Sequence, residues 1–238
     1  MTLFLDTANV EEVAKYMKWG VIKGITTNQK IFSMEKNLDR HYYEQRIKEL
    51  LKYDVPVSIE LTTVNGTVGE LIKEARLYQR KFDSENLIIK VPMWKGGKGL
   101  EIAKELLDGN IKVNMTCLID INQAILACEL GVTYVSLFYN RMIDYYKKEL
   151  QQDLDEATNS ALIEIDGLRN VIKMQGYGSK IICGSIREPR DVKNCLEFGA
   201  HIVTVTPKVL EQLPFHPKTE ETIAEFDEAW KKFIGDRK

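Results

Sequence analysis

Lys90 stands in the hexapeptide Leu87-Ile-Ile-Lys-Val-Pro92, a charge set among consecutive apolar residues and closed off by a proline. A short apolar run bounded by Asn86 and Pro92 reads as a strand buried on both faces, as in a parallel sheet covered by helices. On such a strand Lys90 points into the interior or close to it. Desolvation disfavours an ammonium, and a neutral amine is a nucleophile that condenses with a ketone to form a Schiff base. The hexapeptide alone leaves a second reading open, a lysine at a strand end whose ammonium extends into solvent.

Other polar residues close apolar runs in the same way. Asp6 follows Met1 to Leu5, Thr26, Thr27 and Asn28 follow Val21 to Ile25, and Glu60 follows Val55 to Ile59. In Lys112 to Leu118, Asn114 and Thr116 alternate with Val113, Met115 and Cys117, so the two polar side chains share one face of a strand whose other face is apolar. Such a pair needs partners and marks a polar barrel interior or a site. Ser136 lies toward the end of Thr133 to Phe138, with Arg141 just after, and Ser185 and Arg187 end Ile181 to Ile186.

The elements that must carry these residues alternate along the chain. Helical spacing of apolar residues predicts helices after Asn9, from about Asp39 to Tyr53, Val68 to Phe82, Leu100 to Leu107, Asp120 to Leu130, Glu188 onward, and Pro207 to Leu213. The stretch Met142 to Lys180 reads as two helical pieces with a bend near Asn159, and Ile202 to Val205 is a last strand. Ile223, Phe226, Trp230 and Phe233 give a final helix, 218–234, an apolar face. The loop Trp94-Lys-Gly-Gly-Lys-Gly99 lacks the spacing and the trailing Ser or Thr of a P-loop and reads as a flexible start to a helix. Eight apolar strands alternating with helices predict a (β/α)8 barrel, one domain over residues 1–238. In such a barrel the strands' carboxyl ends form one mouth, which gathers Asp6, Asn28, Glu60, Lys90, Thr116, Ser136 and Ser185.

Composition limits the partners. A 44% hydrophobic fraction is ample for one core, and 29% charged residues with a net charge of -2 recruit neither nucleic acid nor an anionic membrane. No basic leader or membrane-length apolar run is present in the sequence, which places the chain in the cytosol. Cys117, Cys128, Cys183 and Cys195 form no C-x-x-C pair, and His41, His201 and His216 are too scattered for a metal site, so no metal is expected. Two glycosylation patterns, at Asn65 and Asn114, carry no weight without a secretory signal.

Taken together, the segments Phe4-Leu-Asp-Thr-Ala8, Gly24-Ile-Thr-Thr-Asn28, Val57-Ser-Ile-Glu60, Ile89-Lys-Val-Pro-Met93, Asn114-Met-Thr116, Tyr134-Val-Ser136 with Asn140-Arg141, and Gly184-Ser-Ile-Arg187 resemble the transaldolase family. The likeness covers nearly the whole chain and is greatest to the small-subunit branch shared with the fructose 6-phosphate aldolases. It implies a cofactor-free Schiff-base enzyme in which Lys90 attacks the ketone of a phosphorylated ketose. By the same resemblance, Asp6 moves the proton of the hydroxyl beside the breaking bond, and Glu60 and Thr116 hold a proton-shuttling water. Asn28, Asn114 and Ser136 would bind the dihydroxyacetone unit, and Arg141, Ser185 and Arg187 the phosphate, a role suited to guanidinium geometry. Small family members form pentamers or decamers, which implies a homo-oligomer with the last helix on a neighbouring subunit.

The chain also departs from the family pattern. Gln29 stands where the Thr-Thr-Asn motif usually continues with proline, Leu137 replaces a proline, and the stretch after Arg141 is longer. The aldolase branch usually has Gln at the position of Glu60 and Tyr at that of Phe138. These two positions favour transfer of the three-carbon unit to an aldehyde. Its alternatives are an aldolase releasing free dihydroxyacetone and a non-catalytic barrel that binds sugar phosphates.

Overall fold

The alternation of strand and helix closes on itself. A computed structural model of the protein describes residues 2–35, 40–63 and 65–235. Eight strands, β1 (Thr2–Asp6), β2 (Ile22–Thr26), β3 (Val57–Glu60), β4 (Leu87–Pro92), β5 (Val113–Leu118), β6 (Tyr134–Phe138), β7 (Lys180–Gly184) and β8 (Ile202–Val205), form one closed barrel in chain order. Every pairing is parallel, including β1 with β8, so all eight carboxyl ends open on the same side.

Strand periodicity separates two apolar layers. Leu5, Val57, Ile59, Ile89, Val91, Val113 and Met115 face outward and pack with the surrounding helices in the main core. The alternate residues Phe4, Ile88, Tyr134, Ile182 and Ile202 form a separate cluster that plugs the barrel's amino end. Two residues further along the same strands the inward positions turn polar: Asp6 after Phe4, Lys90 after Ile88, Ser136 after Tyr134, Thr204 after Ile202. The plug leaves little room beside it. A Cβ at Gly24 would lie 2.4 Å from the Phe4 ring, so glycine there lets the ring fill the barrel.

The helices are α1 (Val10–Met17), α2 (Gln29–Met34), α3 (Arg40–Leu50), α4 (Val68–Phe82), α5 (Lys98–Asp108), α6 (Ile121–Glu129), α7 (Tyr139–Glu149), α8 (Leu154–Gln175), α9 (Pro189–Glu197), α10 (Pro207–Gln212) and α11 (Pro217–Gly235). Asn9 caps α1 by accepting from the amides of Glu11 and Glu12, and Thr67 with Glu70 forms a capping box on α4. The start expected at Asp39 for the helix observed as α3 lies outside the described residues.

Two expectations need correction. The break between the helices after β6 falls at 150–153, before Asn159: Gln151 takes a left-handed φ of 54°, and Asp153 with Glu156 builds a capping box that starts α8. A cap overrode the apolar periodicity from which the bend was read. The helix α2, absent from the sequence reading, has only six residues, too few to display a period. The glycine loop 94–99 does start a helix, with Gly96 and Gly97 at φ of 73° and 79° leading into α5.

In α11, the last described helix, no residue is buried; Phe226 is 69% exposed and Trp230 61%. Among the described residues no helix is long and apolar enough to cross a membrane.

Candidate active site

Lys90 occupies the middle of the inward polar layer, 4% exposed, level with Glu60 on β3 and Asn114 on β5. Its Nζ donates to the Thr27 carbonyl at 2.9 Å and lies 3.7 Å from Glu60 Oε2. Of the two readings left open by the hexapeptide, the interior one holds. An ion pair this deep costs desolvation of both partners and is a weak source of stability. Its value lies in placing an amine and a carboxylate side by side where water is scarce.

Asp6, half-buried at the end of β1, lines the same mouth as Lys90. Burial raises its pKa above the usual carboxylate value, and the Lys90 charge and a hydrogen bond from Thr26 draw it part of the way back. Thr26 Oγ1 donates to Asp6 Oδ1 at 2.6 Å and lies 2.5 Å from the Thr204 hydroxyl, so with Thr26's proton committed to Asp6 the Thr204 hydroxyl donates to Thr26. Glu60 is likewise raised by burial, offset chiefly by Lys90 and then by Gln29.

On the other wall a second chain of hydrogen bonds runs across three strands. Ser136 Oγ donates to Asn114 Oδ1 at 2.7 Å, and Asn114 Nδ2 donates to Ser58 Oγ at 3.3 Å. Thr116 breaks the pattern, because its Oγ1 is buried with no hydrogen-bond partner among the described residues. A buried hydroxyl without a partner costs free energy and is suited to receive a water or a substrate group. The bulge after Met115 fixes it there, with Cys117 held at a left-handed φ of 61°.

Asn28 has a double position. Its Oδ1 accepts from the Ile31 amide at 2.9 Å and caps α2, while the residue lines the mouth beside Lys90 and Asp6. Arg141 sits on the first turn of α7, its guanidinium 5.8 Å from the Phe138 ring centroid, and lines the mouth with Ser185. Ser185 follows β7 at a left-handed φ of 60°.

Arg187 is not on that described lining. It forms a two-pronged pair with Asp144, one arm at 2.9 Å, and lines a separate cavity of about 210 Å³ between α7, α8 and α9. Asp191, buried there, accepts from the Arg187 amide at 2.8 Å and from Asn140 Nδ2 at 2.6 Å, so the loop after β7 is held from below.

Of the residues singled out in the sequence, Asp6, Asn28, Lys90, Ser136, Arg141 and Ser185 line the mouth, while Glu60, Asn114 and Thr116 are buried and are not on its described lining. Thr26 and Thr204 were legible as inward residues by strand periodicity. Lys30, which also lines the mouth of about 240 Å³, rides on the unrecognised α2 and gave no signal. Among the described residues no group of three or more His, Cys, Asp and Glu gathers in metal-binding geometry.

Residues 3–236 match the family model described as Transaldolase/Fructose-6-phosphate aldolase. The chain belongs to the transaldolase/fructose-6-phosphate aldolase family. Its relatives include a "Probable transaldolase" of Thermoplasma acidophilum, 36% identical over 100% of this chain and 99% of the relative. Another, of Petrotoga mobilis, is 34% identical over 98% and 96% of the two chains. Among solved structures, a thiamine phosphate pyrophosphorylase from Pyrococcus furiosus superposes with a TM-score of 0.58 at 14% identity, covering 90% of this chain and 93% of that one. That likeness is one of fold alone. Family membership and a closed parallel barrel agree on a transaldolase-like enzyme.

Proposed function

We propose that this member of the family transfers a dihydroxyacetone unit from a ketose phosphate, such as fructose 6-phosphate or sedoheptulose 7-phosphate, to an aldehyde acceptor. The observation that carries the reading is the buried Lys90 amine, 3.7 Å from Glu60 and on the same cavity as Asp6.

In this reading Lys90 Nζ adds to the ketone carbon, and the carbinolamine loses water to give an imine. Glu60 and the partnerless Thr116 hydroxyl hold the water through which those protons pass. Asp6 takes the proton from the hydroxyl beyond the scissile bond. The electron pair of that carbon–carbon bond moves into the protonated imine, the aldehyde leaves, and an enamine stays on Lys90. Addition of a second aldehyde reverses the steps, and hydrolysis frees the new ketose. Asn28, Asn114 and Ser136 hold the hydroxyls of the three-carbon unit, and Arg141 with Ser185 faces the phosphate.

Transfer is favoured over release because Phe138, the aromatic residue among the described residues lining the mouth, carries no phenol to protonate the enamine. The exposed apolar stripe of α11 supports a homo-oligomer, and the weakly acidic, mixed-sign composition suits a cytosolic enzyme.

Borohydride added with fructose 6-phosphate should fix a three-carbon adduct on the peptide containing Lys90, and sedoheptulose 7-phosphate should form from fructose 6-phosphate and erythrose 4-phosphate much faster than free dihydroxyacetone is released from fructose 6-phosphate alone. An adduct on Lys95 or Lys98 would overturn the site. Equal rates of dihydroxyacetone release and transfer would turn the reading to the aldolase.

A further inference from the structure

We infer that the amino end of the barrel, opposite the mouth, carries a second anion site that takes a phosphate group, free or on a small phosphorylated metabolite. A cavity of about 340 Å³ opens there at the starts of β1, β6, β7 and β8, and it shares no described residue with the mouth. The inference therefore stands apart from the transfer reading.

The floor of this cavity is the apolar plug. Phe4 and Tyr134 meet edge to face with ring centroids 6.0 Å apart, and Ile202 lies in the same cluster. Tyr134 is only 7% exposed, yet its hydroxyl has no hydrogen-bond partner among the described residues. A phenol so placed costs free energy until something bonds it.

Strand register gathers positive charge around that ring. Tyr134 on β6 is level with Lys180 on β7, and Lys180 stands two residues before Ile182 of the plug, so its side chain belongs to the inward set. Lys23 joins the lining from β2. His201, just ahead of β8, accepts from the Ile181 amide at 3.1 Å through Nδ1, so its neutral ring carries the proton on Nε2 and keeps a donor there. Burial, and then the positive charges of Lys180 and Arg169, hold the His201 pKa down. No acidic residue is among the described residues lining the cavity, and neither Lys23 nor Lys180 forms an ion pair among the described residues.

Solvated lysines at strand starts are ordinary and need no ligand. They do not account for a nearly buried phenol without a partner beneath them, in a cavity whose charged lining is all of one sign. A phosphate dianion matches the two lysines in charge and has oxygens enough to accept from the ammonium groups, the imidazole and the phenol together. The apolar floor leaves room beside the anion for the carbon chain of a phosphomonoester.

The test follows the His201 ring resonances of the whole labelled protein by NMR. Inorganic phosphate should shift them saturably with a Kd on the order of 1 mM, as fits charges open to solvent, and sodium chloride at equal ionic strength should not. Lys23→Gln with Lys180→Gln should weaken phosphate by about tenfold, and Tyr134→Phe by about threefold. Lys23→Arg with Lys180→Arg should retain it, and Arg141→Ala, at the mouth, should leave the His201 response unchanged. Ribose 5-phosphate binding severalfold tighter than inorganic phosphate would assign the site to a phosphorylated metabolite, and equal affinities would assign it to the free ion. The site is overturned by the absence of a shift, by one that chloride reproduces or that does not saturate, or by one that survives the glutamine pair and is lost in Arg141→Ala. Because the readout needs no turnover, it holds whether or not the transfer reading does.

Discussion

Asp6 is kept in a place that opposes its ionisation, and that sets a conflict between stability and chemistry. Burial raises its pKa above the ordinary 3.8, more than Lys90 and Thr26 lower it. The folded chain therefore holds the Asp6 proton to higher pH than the unfolded chain does. Its contribution is most favourable below the unfolded value and is lost as pH rises through the raised folded one. Asp6→Asn, which can still accept from Thr26, should accordingly be more stable than the unmodified protein to urea at pH 7, with the gain vanishing near pH 4. Transfer should fall by about 10²-fold or more, the usual loss of a general base. A variant less stable at pH 7 would show that Lys90 needs the Asp6 charge more than burial opposes it. At this scale the sequence was informative wherever a polar residue interrupts an apolar run, as at Lys90 and Asp6. It was uninformative about pairing: nothing in the residue types says that Arg187 pairs with Asp144, because both are carried on loops and helix faces whose approach is a tertiary matter.

The elements hold the site through close backbone contact as much as through side chains. Helix α5 begins against the end of β4, so near that a Cβ on Gly99 would lie 2.3 Å from the Pro92 carbonyl and 3.2 Å from the Met93 Cα. Those are backbone atoms and cannot swing aside, and Pro92 is two residues beyond Lys90. Gly99→Ala should cost about 1–3 kcal/mol in urea unfolding, the range for overpacking. It should also lower kcat, since the end of the strand carrying Lys90 must shift. Wild-type stability and kcat together would mean that α5 withdraws without disturbing β4. The strands were readable because a period of two with β-branched residues survives even in five-residue segments. The six-residue α2 was not, and it carries both Gln29 and Lys30.

At the scale of the whole molecule, closure of the barrel leaves one element unused. Eight strands in order and their helices build the buried core up to α10, and the alternation made that count of strands legible in the sequence. The apolar stripe of α11 was legible too, but periodicity states only that a helix has an apolar face, never which surface covers it. Phe226, Trp230 and Ile223 are exposed to 69%, 61% and 49%, and no residue of the helix is buried, so the barrel of the same chain does not provide that cover. Large aromatic side chains left in water at helical spacing favour association. A second copy of the chain offers the same stripe or another face of its barrel, and a ring of copies would satisfy every helix at once. Phe226→Glu with Trp230→Glu should therefore convert an oligomer into a monomer in sedimentation velocity at micromolar concentration. The circular dichroism of the barrel should be retained, since neither residue packs on it. An unmodified protein that sediments as a monomer under the same conditions would refute the assembly and leave α11 in need of another partner.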